Sequence, residues 1–114
     1  MKDAILNLVK NRQHVSMVEL CREIPGFKGN LEWVLGTNTV IWINVSEKAI
    51  EAMNSLVREN KIEAVSCSPW VYITDGAMLD YPLVTSLTAD FKKPHWLPVT
   101  FSTPDQAKRD GAKQ

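Results

Sequence analysis

At 114 residues the chain has the length for one hydrophobic core and little more. Its 45% hydrophobic and 23% charged residues are those of a folded globule. The 13 basic and 13 acidic residues give a formal net charge of zero, so the chain as a whole exerts no electrostatic pull on nucleic acid or anionic lipid, and any such contact must come from a local patch. The apolar runs, such as residues 40–43, are strand-sized and fall short of the roughly 20 residues of a spanning helix, so no membrane partner is expected. The opening MKDAILNLVKNRQ interrupts its apolar residues with Asp3 and Lys10, which is unlike an export signal, so a cytoplasmic location is expected. Cys21 and Cys67 are accordingly expected as buried free thiols in a reducing compartment.

Taken in chain order, residues 2–12 predict a first helix with Ala4, Ile5, Leu8 and Val9 on one face, Asp3 in the first turn and Lys10 and Arg12 in the last. His14-Val15 reads as a short extended link. Ser16 opens a capping box with Glu19, and a second helix follows with Val18, Leu20, Cys21 and Ile24 inward, ended by Pro25-Gly26. In residues 28–45, residues 31–35 and 39–45 are rich in strand formers and flank Gly36-Thr37-Asn38, so an inserted β-hairpin is expected there, or a short helix over residues 30–35. Ser46 then caps a third helix to Asn60, whose Ala49, Ile50, Met53, Leu56 and Val57 form one apolar stripe.

After Asn60 the apolar period becomes that of a strand. Ile62, Ala64 and Ser66 alternate with Glu63, Val65 and Cys67; Trp70, Tyr72 and Thr74 alternate with Val71 and Ile73. Ser68-Pro69 between them predicts a turn, hence a second hairpin. Residues 77–84 lack a period and read as an extended strap against the core. Residues 91–101, with Pro94 and Pro98, suit an edge strand or arm. From Ser102 to Gln114 no apolar residue exceeds Ala, which predicts a disordered tail behind a single domain over residues 1–101.

Chemical motifs are few. His14, His95 and the two cysteines have no metal-ligand spacing, and no phosphate-loop, dinucleotide or GxSxG pattern occurs, so neither an enzyme nor a metal, cofactor or small-molecule substrate is expected. Asp75 and Asp80 lie beside turn residues, where Asp serves local hydrogen bonding. Trp33, Trp42, Trp70 and Trp96 are numerous enough to fill a core, with Trp70 supporting the second hairpin. Trp96, beside Lys92, Lys93 and His95, also reads as a partner-binding arm.

The capped second helix, the stripe through Ala49, Ile50, Met53, Leu56 and Val57, and the passage Leu56-Val57-Arg58-Glu59-Asn60-Lys61-Ile62 together resemble the winged-helix superfamily over residues 2–76. The resemblance implies an α+β fold of three helices and a hairpin wing, here with an inserted hairpin between helices 2 and 3 and an extended C-terminal arm. It implies a DNA-binding protein, a small regulator of transcription or replication, with the third helix in the major groove and the wing around Ser66-Cys67-Ser68-Pro69 on the backbone. Lys48, Asn54, Ser55 and Arg58, all off the apolar stripe, and Lys61 are the expected contacts; the alternative for them is an ordinary solvated helix face. Residues 46–75 carry Lys48, Arg58 and Lys61 against Glu47, Glu51, Glu59, Glu63 and Asp75, so further cations are needed from Lys10, Arg12, Lys28 or the C-terminal segment, or from a second protomer. The rival expectation is a non-catalytic protein-interaction module, binding itself or another protein through the inserted hairpin and the Trp96 arm.

Overall fold

The computed structural model describes residues 1–84 and 92–112 and is a mixed α+β structure. Helix α1 (Lys2–Arg12) buries Ile5 and Val9 and leads into β1 (Val15–Ser16) and α2 (Met17–Glu23), where the Ser16 hydroxyl accepts from the Glu19 N–H at 3.2 Å as the capping box requires. Strands β2 (Lys28–Leu35) and β3 (Thr39–Val45) pair antiparallel as the expected inserted hairpin, with Trp33 opposite Trp42, and no helix forms over residues 30–35. Helix α3 (Glu47–Arg58) is capped by Ser46 and buries Ala49, Ala52, Met53 and Leu56; Val57, expected on the same stripe, lies at its exposed edge. The hairpin is pinned to this helix: a Cβ on Gly29 would come within 2.5 Å of the Ser46 Cα, so β2 crosses the start of α3 at a distance only glycine allows.

The chain departs from expectation after β4 (Glu63–Ser66). Residues 69–75 form helix α4 (Pro69–Asp75), not a strand, and no hairpin pairs across Pro69. Trp70, Val71, Tyr72 and Ile73 favour a strand by type, but the boundaries are those of a helix. Ser68 caps the Trp70 N–H at 3.2 Å, Pro69 occupies the first turn, and Gly76 closes the helix at φ 110°. The antiparallel partner of β4 is instead β6 (Val99–Ser102), which pairs Ala64 with Phe101 and lies between β4 and β1 in a three-stranded sheet. Strand β6 is therefore central rather than an edge.

Two long stretches meet, residues 28–45 between α2 and α3 and the described residues between β4 and β6. Strand β5 (His95–Trp96) adds in parallel to β3, and Leu83 of the strap bridges to Trp96, so residues from both stretches build the second sheet, ordered β2-β3-β5. The sheets share a core. Trp33 stacks on Phe101 at 5.9 Å, and Trp42, Tyr72 and Trp96 lie 5.0–6.0 Å apart by ring centroid. Tyr72 is buried, donates its hydroxyl proton to the Val99 carbonyl at 2.6 Å and accepts from the Met17 N–H at 3.0 Å.

Residues 104–112 form helix α5 (Pro104–Ala112) where a disordered tail was expected. Its anchor is polar. Thr103 and Gln106 form a reciprocal capping box, and the buried Gln106 amide donates to the carbonyls of Val9 at 3.1 Å and Lys10 at 3.0 Å, satisfying two acceptors at the end of α1. Phe91, the first residue of the expected arm, and the last two residues of the expected tail lie outside the described residues. No helix among the described residues is long and apolar enough to cross a membrane.

Tyr72→Phe keeps the ring contacts and orphans the Met17 N–H and the Val99 carbonyl. It is expected to lower stability by about 1–3 kcal/mol in urea unfolding. An unchanged midpoint would show that the hydroxyl holds nothing.

Candidate functional site

The outward face of α3 carries the sequence-expected contacts. Lys48, Ser55 and Arg58 line a shallow groove of about 540 Å³ together with Met1, Lys2, Glu51 and Ala52, and Asn54 is exposed one turn before Arg58. The groove therefore lies between the start of α1 and the length of α3. One of its cations, Lys2, is held in an ion pair. Lys2 Nζ lies 2.6 Å from Glu59 Oε1, and the ammonium holds that carboxyl below its usual range, with Lys61 and the Ser55 hydroxyl adding to the effect. Lys48 and Arg58 have no carboxylate within ion-pair distance among the described residues, so both are available to an anion. The start of α3 is less accessible, because the Ser46 N–H donates to the Phe27 carbonyl at 2.8 Å and its hydroxyl donates to the Gly26 carbonyl at 2.7 Å.

Lys61 lines a different cleft. With Lys10 of α1 and Lys108 and Arg109 of α5 it walls a concavity of about 780 Å³ whose lining also includes Leu6 and Gln106 and, among the described residues, one carboxylate, Asp105. The sequence marks Lys10 and the C-terminal cations only as dispersed helpers, because α5 carries no apolar stripe that would announce a helix. Another expected helper, Arg12, is committed elsewhere, 3.4 Å from both Glu19 and Glu23.

The expected partner-binding arm is taken apart by the fold. Lys92 and Lys93 are exposed, and His95 lies in β5 with its backbone N–H donating to the Asn38 carbonyl at 2.8 Å. Trp96 is fully buried against Trp42 and Tyr72; among the described residues its Nε1 has no hydrogen-bond acceptor. The exposed tryptophan is Trp70, at 72% accessibility on α4, beside the exposed Ile73 and near Met78. Placing Pro69 in a turn hid this, since a strand would have turned Trp70 and Tyr72 to one face, whereas the helix buries Tyr72 and leaves Trp70 outside.

The remaining polar groups serve structure. Asp75, read as a turn residue, ends α4 and accepts from the Ser16 hydroxyl at 2.6 Å. Burial pushes the Cys67 thiol up to about 11, with the Asp75 carboxylate adding, and burial raises the Cys21 thiol against the opposing pull of Lys28. Both thiols thus stay protonated near neutral pH, away from the nucleophilic form. Cys21 and Trp42 also line an apolar recess of about 510 Å³ with Val18, Ile43, Met78 and Leu79. Among the described residues no three His, Cys, Asp or Glu side chains gather as metal ligands would.

In a Cys21→Ser variant, the rate of Cys67 alkylation by iodoacetamide is expected to keep rising past the ordinary thiol midpoint of about 8.5; a plateau beginning there would remove the upward shift. Comparison with known proteins adds no relative to this geometry: no family model matches the chain, and searches of curated proteins and of solved structures return no match.

Proposed function

We propose that the chain is a winged-helix variant that binds double-stranded DNA through the outward face of α3, as a small regulator of transcription or replication. The observation that carries this reading is the groove where Lys48, Ser55 and Arg58 converge, with neither cation in an ion pair among the described residues and Asn54 beside them. The element order supports it: three helices, a short strand after the first, and two antiparallel strands after the third that join that short strand in one sheet. On this reading the wing is not the sequence-expected hairpin but the β4–β6 pair, whose connecting loop has grown into residues 67–98. The hairpin crossing the start of α3 directs approach toward its later turns, where Asn54, Ser55 and Arg58 lie. Asn54 has the donor and acceptor pair that matches adenine, and Arg58 the fork that matches guanine or phosphate.

A second reading, a non-catalytic protein-interaction module, is favoured by the exposed Trp70. An indole at 72% accessibility on a short helix is the kind of aromatic anchor that protein interfaces use.

Two measurements separate them. In electrophoretic titrations at low and moderate salt, the Lys48→Ala/Arg58→Ala double variant is expected to bind duplex DNA more weakly and to lower the salt slope by about 2, one for each lost phosphate contact. Duplex binding that ignores salt, or no binding by the parent protein, removes the DNA reading. For the second reading, sedimentation is expected to show a concentration-dependent mass that Trp70→Ser abolishes; a parent protein that stays monomeric and recovers no partner counts against it.

A further inference from the structure

We propose that the cleft between α1 and α5 is a second anion site that binds closely spaced phosphate groups, drawn from a free polyphosphate or from a nucleic-acid backbone. Four cations reach it from three separate parts of the chain: Lys10 from α1, Lys61 from the link between α3 and β4, and Lys108 and Arg109 from α5. Among the described residues one carboxylate, Asp105, faces them. None of the four lies within ion-pair distance of a carboxylate among the described residues, although the sequence supplies as many acids as bases.

The pairing elsewhere makes this segregation informative. Lys2 is bound to Glu59, Arg12 to Glu19 and Glu23, and Arg22 lies 3.5 Å from Glu23, so acids neutralise bases along the flanks of α1, α2 and α3. Glu59, one of the two acids two residues from Lys61 in sequence, makes its ion pair with Lys2 at 2.6 Å, while Lys61 acts on it at longer range. What remains in the cleft is four cations against the Asp105 carboxylate, an excess of positive charge that favours an anion. The cleft, of about 780 Å³, has room for more than one phosphate. Three ammonium groups supply point charges, and the Arg109 guanidinium supplies the fork that holds two phosphate oxygens at once. The start of α5 adds little, because its first donors are consumed by the Thr103–Gln106 capping box and Asp105 opposes an anion there; the side-chain cations are the site.

The assignment stands apart from the groove on α3, and the experiment keeps the two distinct. Sodium tripolyphosphate titrated into the isotope-labelled full chain is expected to give saturable amide shifts at Leu6, Lys10, Lys61 and Arg109. Lys108→Ala/Arg109→Ala, two exposed positions, is expected to weaken this binding by about tenfold or more, and Lys10→Glu to do the same from the opposite wall. Lys48→Ala/Arg58→Ala leaves it unchanged. A short duplex that displaces tripolyphosphate identifies a nucleic-acid backbone as the natural source of the phosphates; a duplex that binds without displacing it identifies a free polyphosphate. Absence of saturable shifts in the cleft, or shifts indifferent to both sets of cleft substitutions, overturns the proposal whatever becomes of the α3 groove.

Discussion

Tyr72 is the point at which the separate parts of this molecule are tied together. It belongs to α4, its hydroxyl donates to β6 and accepts from the first residue of α2, and its ring lies against Trp42 from one of the two long stretches and Trp96 from the other. A buried phenol with both hydrogen-bond roles filled is neutral, and burial here raises its titration well above the ordinary range, so the junction keeps its charge state through the working pH of the protein. The three helices and the first sheet can be described without α4, but this residue, the stack of Trp33 on Phe101 and the close crossing of Gly29 over Ser46 attach them to the second sheet. The two long stretches are thus not loops hung on a finished core; they supply Trp42, Tyr72 and Trp96 to its centre.

The same residues explain what was legible in the sequence and what was not. The first three helices and the inserted hairpin are local matters of caps, stripes and turn chemistry, and Ser16, Ser46 and Gly36-Thr37-Asn38 mark them in place. At residues 69–75 two local signals conflict: side-chain types that favour a strand, and a Ser-Pro start with a glycine finish that favours a helix. The boundary signals win because the helix places Tyr72 alone at the junction, which an alternating strand cannot do while leaving Ile73 and Trp70 outside. Trp96 misled in the opposite way. Its basic neighbours Lys92 and Lys93 suggested an exposed arm, and only the long-range pairing of β5 with β3 shows that the indole is interior.

The face of α3 was legible as a polar helix surface, whereas the α1–α5 cleft was not. A polar face follows from helical periodicity, so Lys48, Asn54, Ser55 and Arg58 could be separated from Ala49 and Met53 by counting. The cleft depends on a helix held by hydrogen bonds, and the Thr103-Pro104-Asp105-Gln106 capping box was its one mark in the sequence. Without α5, Lys108 and Arg109 read as solvated tail charges; with it, they face Lys10 across a common space.

That mode of attachment couples the cleft to the order of the helix that walls it. Among the residues of α5 whose side chains are described, Gln106 is the buried one, and its amide exchanges water for the carbonyls of Val9 and Lys10. Such bonds contribute about 0.5–1.5 kcal/mol each, net of their bonds to water, against an entropy of about 1–2 kcal/mol for every residue ordered. A helix secured in this way opens at lower free energy than one fastened by apolar burial. An anion that engages Lys10 and Arg109 together bridges α1 to α5 and favours the docked helix by whatever it gains over binding one wall alone. On the proposed anion site the polar anchor brings Lys10 and Arg109 to one space at a modest margin, and an anion between them would add to that margin.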